Sequence, residues 1–307
     1  QEELLTITEI NGRQVKFTKN DNTRDYNNVQ RYDHAKHYTL APSKIELYAA
    51  NLSRNVSFET ENGKDVPISH RAHVMLMHNP NVKVMNAGFY DLGRSDKSKM
   101  VDDVGQNVDG SKGNGTNIRG RYALHLHKTG LDPKTAVILK GNAISGSPGW
   151  GIAQHGSRAG LEDNVVFDTV GAGIAAEDGN ETGWWTNNLS IKSTGFKWDV
   201  ASQQMDQREK KFDVGFEGDG VWIQGAAQIA NKGNVGLSNN HTGMSLFGGA
   251  LDTDYYRPIK TIEISTLPPD IQKLFAKGQT EADIRHIPMA TVSGFEGYNN
   301  QKGLEVW

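Results

Sequence analysis

The stretch GIAQH, Gly151–His155, has a near copy in GIAAE, Gly173–Glu177, and looser ones in GVWIQ, Gly220–Gln224, and GMSLF, Gly243–Phe247. A fifth, GLEVW (Gly303–Trp307), fits at the end. Four times an Asn followed by a short apolar run recurs at a matching offset: GNAIS at Asn142, DNVVF at Asn164, NNLSI at Asn188 and GNVGL at Asn234. Asn142 to Asn164 is 22 residues, Asn164 to Asn188 is 24, and Asn188 to Asn234 is 46, about two periods, including the polar excursion Lys197–Lys211. A unit of this length with two or three short strands cannot bury its own apolar face but can stack on a neighbour, the logic of a parallel β-helix. Asn recurring at one corner is then expected to form a hydrogen-bonded ladder along the axis. Helical periodicity is nearly absent, and Pro268–His286 is the one segment that reads as a helix, inside an insertion.

The repeat also sets which side chains face inward. Extended back over LHLH (Leu124–His127), its first column reads Leu124, Ile152, Ile174, Val221, Met244, Leu304, and its third Leu126, Gln154, Ala176, Ile223, Leu246, Val306. These are mostly apolar and face the core, so the alternate columns face outward, because a one-residue slip reverses every side chain. Column two is His125, Ala153, Ala175, Trp222, Ser245, Glu305, and column four is His127, His155, Glu177, Gln224, Phe247, Trp307. With coils about 4.8 Å apart, His127, His155 and Glu177 are expected to form an outward column on the surface, with His125 beside it. His73, before Val74, falls on the same face one coil earlier.

Imidazoles and a carboxylate so placed form a ligand set for a divalent metal, taken as His127, His155, Glu177 and His73. The donors favour a transition metal, with calcium also open. Without metal the same groups supply a general acid and base, with His125 assisting. Glu177 and Asp178 are adjacent, so on a regular strand they diverge and do not form a glycosidase pair. Trp222, Phe247 and Trp307 form an outward aromatic row suited to stacking on sugar rings, or to burial under the insertions. Arg119 and Arg121 flank the histidine strand and can hold a carboxylate.

Composition narrows the classes further. The 307 residues include no Cys and carry a net charge of −3. Disulfides and Cys-based metal sites are excluded. The charge balance offers no electrostatic basis for binding nucleic acid, and no apolar run is long enough to span a bilayer. TITEINGRQVKFT reads as a hairpin around Asn11-Gly12. Both chain ends read as interruptions of β-structure, so a piece of a longer protein is expected, and targeting segments do not reveal localisation.

NLSRNV (Asn51–Val56), AHVMLMHNPNVKVMNAGFYDLG (Ala72–Gly93), GRYALHLHKTG (Gly120–Gly130), GIAQHGS (Gly151–Ser157) and AEDGNE (Ala176–Glu181) occur in this order. Together they resemble the extracellular family of cell-migration-inducing and transmembrane hyaluronidases, with fibrocystin-like relatives. The resemblance covers residues 1–188 and fades beyond them. It implies an all-β chain: a right-handed parallel β-helix over 61–307, with insertions near 197–217 and 251–287. The remnant of an N-terminal β-domain, sandwich-like, would occupy 1–60.

It also implies an extracellular or cell-surface protein whose partner is a polysaccharide. The absence of Cys and the departure after Phe196 point to a bacterial or environmental member and leave the glycan open. The expected function is depolymerisation of a hyaluronan-like or uronate-containing polysaccharide, by hydrolysis or β-elimination. His127, His155, Glu177, His125 and Arg121 would be catalytic, and Trp222, Phe247 and Arg119 would contact substrate. The alternatives are a non-catalytic glycan-binding or adhesin module, and a structural stalk.

Overall fold

The computed structural model describes residues 4–19, 48–196, 205–247 and 261–306. The chain divides into two compact units, 1–50 and 51–307. In the first, Leu5–Asn11 pairs antiparallel with Gln14–Lys19, and Gly12 turns the hairpin with φ +58°, a left-handed conformation that favours glycine. The second unit is a parallel β-helix. Val56–Glu59 pairs in parallel with Ala87–Tyr90, so the β-helix begins before the expected boundary at residue 61.

Each coil contributes to three faces. One face, here the histidine sheet, stacks Val74–Met77, Leu124–Gly130, the start of Ile152–Glu162, Ile174–Ala176, Val221–Gln224, Thr242–Phe247 and Lys302–Val306. The expected register holds throughout: Leu124 pairs with Ile152, Ile152 with Ile174, Ile174 with Val221, Val221 with Met244 and Met244 with Leu304. From Leu124 to Leu246 the inward columns join one core with Leu139, Ile144, Leu161, Val166 and Trp185, whereas Leu304 and Val306, expected in the core, are exposed because no described coil stacks beyond theirs. Gln154 is the polar exception in the interior. Its amide nitrogen donates to the Ser157 and Thr182 carbonyls at 2.7 and 3.0 Å, and its oxygen accepts from Trp185 Nε1 at 2.8 Å, so its burial carries no unpaired polar atom.

Two ladders explain the residues that mark the repeat. At the corner, Asn142 Nδ2 donates to Asn164 Oδ1 at 3.0 Å, Asn164 to Asn188 at 2.9 Å, and Asn188 to Asn234 at 2.9 Å. Each Oδ1 also accepts the backbone N–H of the preceding asparagine at 2.9–3.1 Å. Since Asn188 bonds Asn234 directly, the 46 residues between them form one coil with an insertion, not two periods. The glycines opening each unit answer a different need. A Cβ on Gly151 would lie 2.6 Å from the Gly173 carbonyl, on Gly173 2.8 Å from that of Gly220, on Gly220 2.5 Å from that of Gly243, and on Gly243 2.6 Å from that of Gly303. Coil-to-coil approach at this corner leaves no room for a side chain.

The insertions depart from expectation in two ways. Pro268–His286 is not one helix: only Pro269–Gln272 is α-helical, flanked by short 3-10 turns and by a hairpin of Thr261–Glu263 with Glu281–Asp283. Gly278, at φ +89°, turns the chain back. In the other insertion, residues 205–210 are helical, and the segment that follows covers the outer side of the histidine sheet. There Val214 packs with Tyr122, Trp150, Ala153, Ala175 and Trp222 in a second apolar cluster. Buried ion pairs hold this cover: Asp213 takes Lys97 Nζ at 2.7 Å and Arg208 at 3.1 Å. Arg119 donates to the carbonyls of Lys211 and Phe212.

Candidate functional site

The outward face of the histidine sheet is therefore covered, not solvated. His125 is 1% exposed beneath the Tyr122 ring at 5.4 Å, while His127 and His155 remain half-buried. The cover comes from Tyr122, Trp150 and the insertion between Asn188 and Asn234, outside the aligned columns, so column alternation does not register it. Trp222 is corrected likewise: it is buried against Phe247, the rings stacked 5.8 Å apart, with Nε1 donating to Gln224 Oε1 at 3.2 Å. Trp307 lies outside the described residues, so the aromatic row keeps only Phe247 with partial exposure.

Three imidazoles converge. His127 pairs with His155 across the strands, their ring centroids 4.5 Å apart, and His125 stands 5.3 Å from His127 and 5.8 Å from His155. One ring nitrogen from each falls within 4.8 Å of the other two. His73 is outside this trio, because Met75 and Met77 occupy the positions paired with His125 and His127. It stands near Arg94 and Arg121, and burial first, then those charges, push it down to about 4. Arg119 is occupied by the cover and by Asp103 at 3.4 Å. Neither Arg121 nor Arg94 has an ion-pair partner among the described residues.

The carboxylates behave differently from the expectation of opposite faces. The strand ends at Ala176, so alternation stops there. Glu177 Oε2 takes His155 Nδ1 at 2.9 Å, and Asp178 Oδ2 takes Nε2 at 2.8 Å. The turn is held by Glu181, which accepts the N–H groups of Gly156, Asp178 and Gly179 at 2.8–2.9 Å. The role of Asp178 went unread in the sequence, although a strand broken by Glu-Asp-Gly is a signal that two acids share one turn.

This arrangement separates the protonation states of the histidines. Burial alone would lower the pKa of His155, but hydrogen bonds to Asp178 and Glu177 outweigh it and raise the group to about 10. Glu177 is held down to about 2: burial opposes its charge, and His155 overcomes that. His127 falls to about 4 through burial and then the charge of His155. Burial likewise lowers His125. His125 Nδ1 lies 2.8 Å from the Gly120 carbonyl, so it carries the proton there and leaves Nε2 a lone pair. His125 Nε2 and His127 Nδ1 are buried without hydrogen-bond partners.

These two unpaired nitrogens fit a divalent transition metal, with His155 as third donor once it gives up a proton. The Gly120 carbonyl, Glu177 and Asp178 would then orient the ligating rings.

No helix among the described residues is long and apolar enough to cross a membrane. No curated protein and no solved structure matches the chain. Residues 111–254, which include the three histidines and both carboxylates, match the family model described as CEMIP beta-helix, and this supports kinship of the β-helix with the CEMIP-like family.

Proposed function

We propose that this protein depolymerises an acidic, hyaluronan-like or uronate-containing polysaccharide at the cluster of His125, His127, His155 and Glu177, outside the cell or at its surface. The carrying observation is the geometry of two neighbouring imidazoles, their ring centroids 4.5 Å apart, with His155 held by Glu177 and Asp178 at both nitrogens and His127 Nδ1 left without a partner. This environment pushes His155 up and His127 down. Groups whose environments push their pKa values apart are suited to paired acid and base roles. The family match supports a glycan as substrate, and the guanidiniums of Arg94 and Arg121 favour one bearing carboxylates.

In hydrolysis, His127 takes a proton from the water that attacks the anomeric carbon. His155 gives its proton to the departing glycosidic oxygen, which leaves with the bonding electron pair. In β-elimination, His127 instead takes the proton α to the uronate carboxylate, and Arg121 steadies the charge that develops there. A C=C bond forms as the β C–O bond breaks, its oxygen leaving with the electron pair and taking the His155 proton. Acid–base catalysis is best with a pKa near the working pH, so substrate contact that draws one carboxylate from His155 brings this acid into range. A metal held by His125, His127 and His155 would stand in place of these proton roles and supply Lewis acidity toward a substrate oxygen.

A glycan-binding module without catalysis finds less support, because burial of Trp222 removes one end of the stacking row. Incubation with hyaluronan and with a polyuronate, followed by size-exclusion chromatography, separates the readings. Shortening of the chains is expected, with loss in His127→Ala and His155→Ala. Ultraviolet absorbance from a new conjugated double bond would mark elimination, and new reducing ends without it would mark hydrolysis. Binding with no shortening would sink the enzyme in favour of a binder, and neither would leave a stalk.

A further inference from the structure

A second group of ionisable side chains lies on the same sheet, several coils from the three histidines. Glu217 and Asp219 stand on the segment leading into Val221–Gln224, and His241 directly precedes Thr242–Phe247 of the next coil. Their backbones are tied into the stack: the Asp219 carbonyl accepts from Gly173 N–H at 2.9 Å, and the Gly218 carbonyl from His241 N–H at 3.1 Å. His241 Nδ1 faces Asp219 Oδ1 at 2.9 Å and Glu217 Oε2 at 3.4 Å, while Nε2 faces Glu305 Oε2 at 3.6 Å from the following coil. Asp219 is fully buried, and Glu217 and His241 are 9% and 6% exposed.

Two features point to a cation site. Asp219 Oδ2 and Glu217 Oε1 are buried and accept no hydrogen bond, although a buried carboxylate oxygen without a donor is costly. Among the described residues the carboxylates also crowd: Glu305 has Lys302 beside it, Glu217 and Asp219 both face His241, and burial and then the charge of Asp219 push Glu217 up to about 7. An isolated charge at such depth is strongly unfavourable.

We propose that Glu217, Asp219 and His241 bind a divalent transition cation of the zinc or manganese class, as a clasp between successive coils of the β-helix. The cation replaces the proton on His241 Nδ1, and its two charges neutralise the two carboxylates. Glu305 then accepts from Nε2–H, the outer partner that ligating histidines usually have. One imidazole nitrogen with carboxylate oxygens suits such a metal better than calcium, which prefers oxygen alone. Buried on all sides, the site has a structural role, tightening the last coils.

The test separates this site from the histidine trio. The full chain carrying His127→Ala and His155→Ala is equilibrated with zinc or manganese, and bound metal is measured by elemental analysis beside thermal melting. One equivalent should remain, and the melting temperature should rise with metal concentration, as for any ligand of the folded state. Adding Glu217→Gln should abolish both effects while preserving the fold by circular dichroism, since Glu217 Oε1 makes no hydrogen bond to lose. Asp219→Asn should do the same. Absence of bound metal in the double variant, or its retention after Glu217→Gln, would overturn the proposal.

Discussion

His155 is held at both ring nitrogens, and the consequences for pH follow from the direction of its shift. Its folded pKa of about 10 lies above the ordinary imidazole value, so its stabilisation is complete below about pH 6.5. It fades as pH rises through about 10. Glu177, held at about 2, contributes above its ordinary range and loses that contribution as pH falls through about 2. In metal-free protein the ring resonances of His155 should therefore stay at the protonated position across neutral pH, while those of His127 stay at the neutral one. Proton–nitrogen NMR of labelled imidazoles reads both, and a His155 midpoint near 6.5 would show that the two carboxylates do not hold it. His155→Gln should lower the denaturant midpoint at pH 6 and have much less effect at pH 11, where the native ring has lost its charge.

At the scale of the element, the coil corner concentrates the stabilising hydrogen bonds. Asn164 donates to Asn188 Oδ1 and to the Leu139 carbonyl, and accepts from both Asn142 nitrogens. Asn164→Ala strands several buried donors and acceptors at about 1–3 kcal/mol each before relaxation. A loss of about 3 kcal/mol or more is expected in equilibrium denaturation, and a loss below about 1 kcal/mol would show that water replaces the ladder. The ladder was legible because a side-chain bond to the next coil demands Asn at a fixed interval. The register was legible for a related reason: Leu124, Ile152 and Ile174 occupy equivalent places in successive coils, and a slip would expose them all. The approach of Asp178 to His155 was not, since alternation ends with the strand and the bonds that shape the turn there come from Glu181. The group at Glu217, Asp219 and His241 was missed for a similar reason: its members precede their strands, outside the aligned columns.

At the scale of the whole β-helix unit, the site depends on an insertion folding back over its own sheet. Arg208 and Asp213 come from that insertion and Lys97 from the segment between Ala87–Tyr90 and Leu124–Gly130, and all three are at most 2% exposed. Lys97 Nζ also lies 4.5 Å from the Trp150 ring, and Trp150 Nε1 donates to the Gly215 carbonyl at 2.8 Å, so charge and aromatic contacts close one cover over Tyr122 and His125. No column of the repeat encodes this, because the partners are more than a hundred residues apart, as Lys97 and Asp213 are. Asp213→Ala leaves two buried cations without their anion, a change that costs about 3–5 kcal/mol. If the cover opens as a local unit, hydrogen exchange should accelerate over 208–219 while the amides of the Asn142, Asn164 and Asn188 corner stay protected. His125 should gain solvent and its pKa should move up toward the ordinary imidazole value, because burial is the main force lowering it. Uniform acceleration across both regions would show that cover and β-helix unfold together, making the insertion part of the cooperative core.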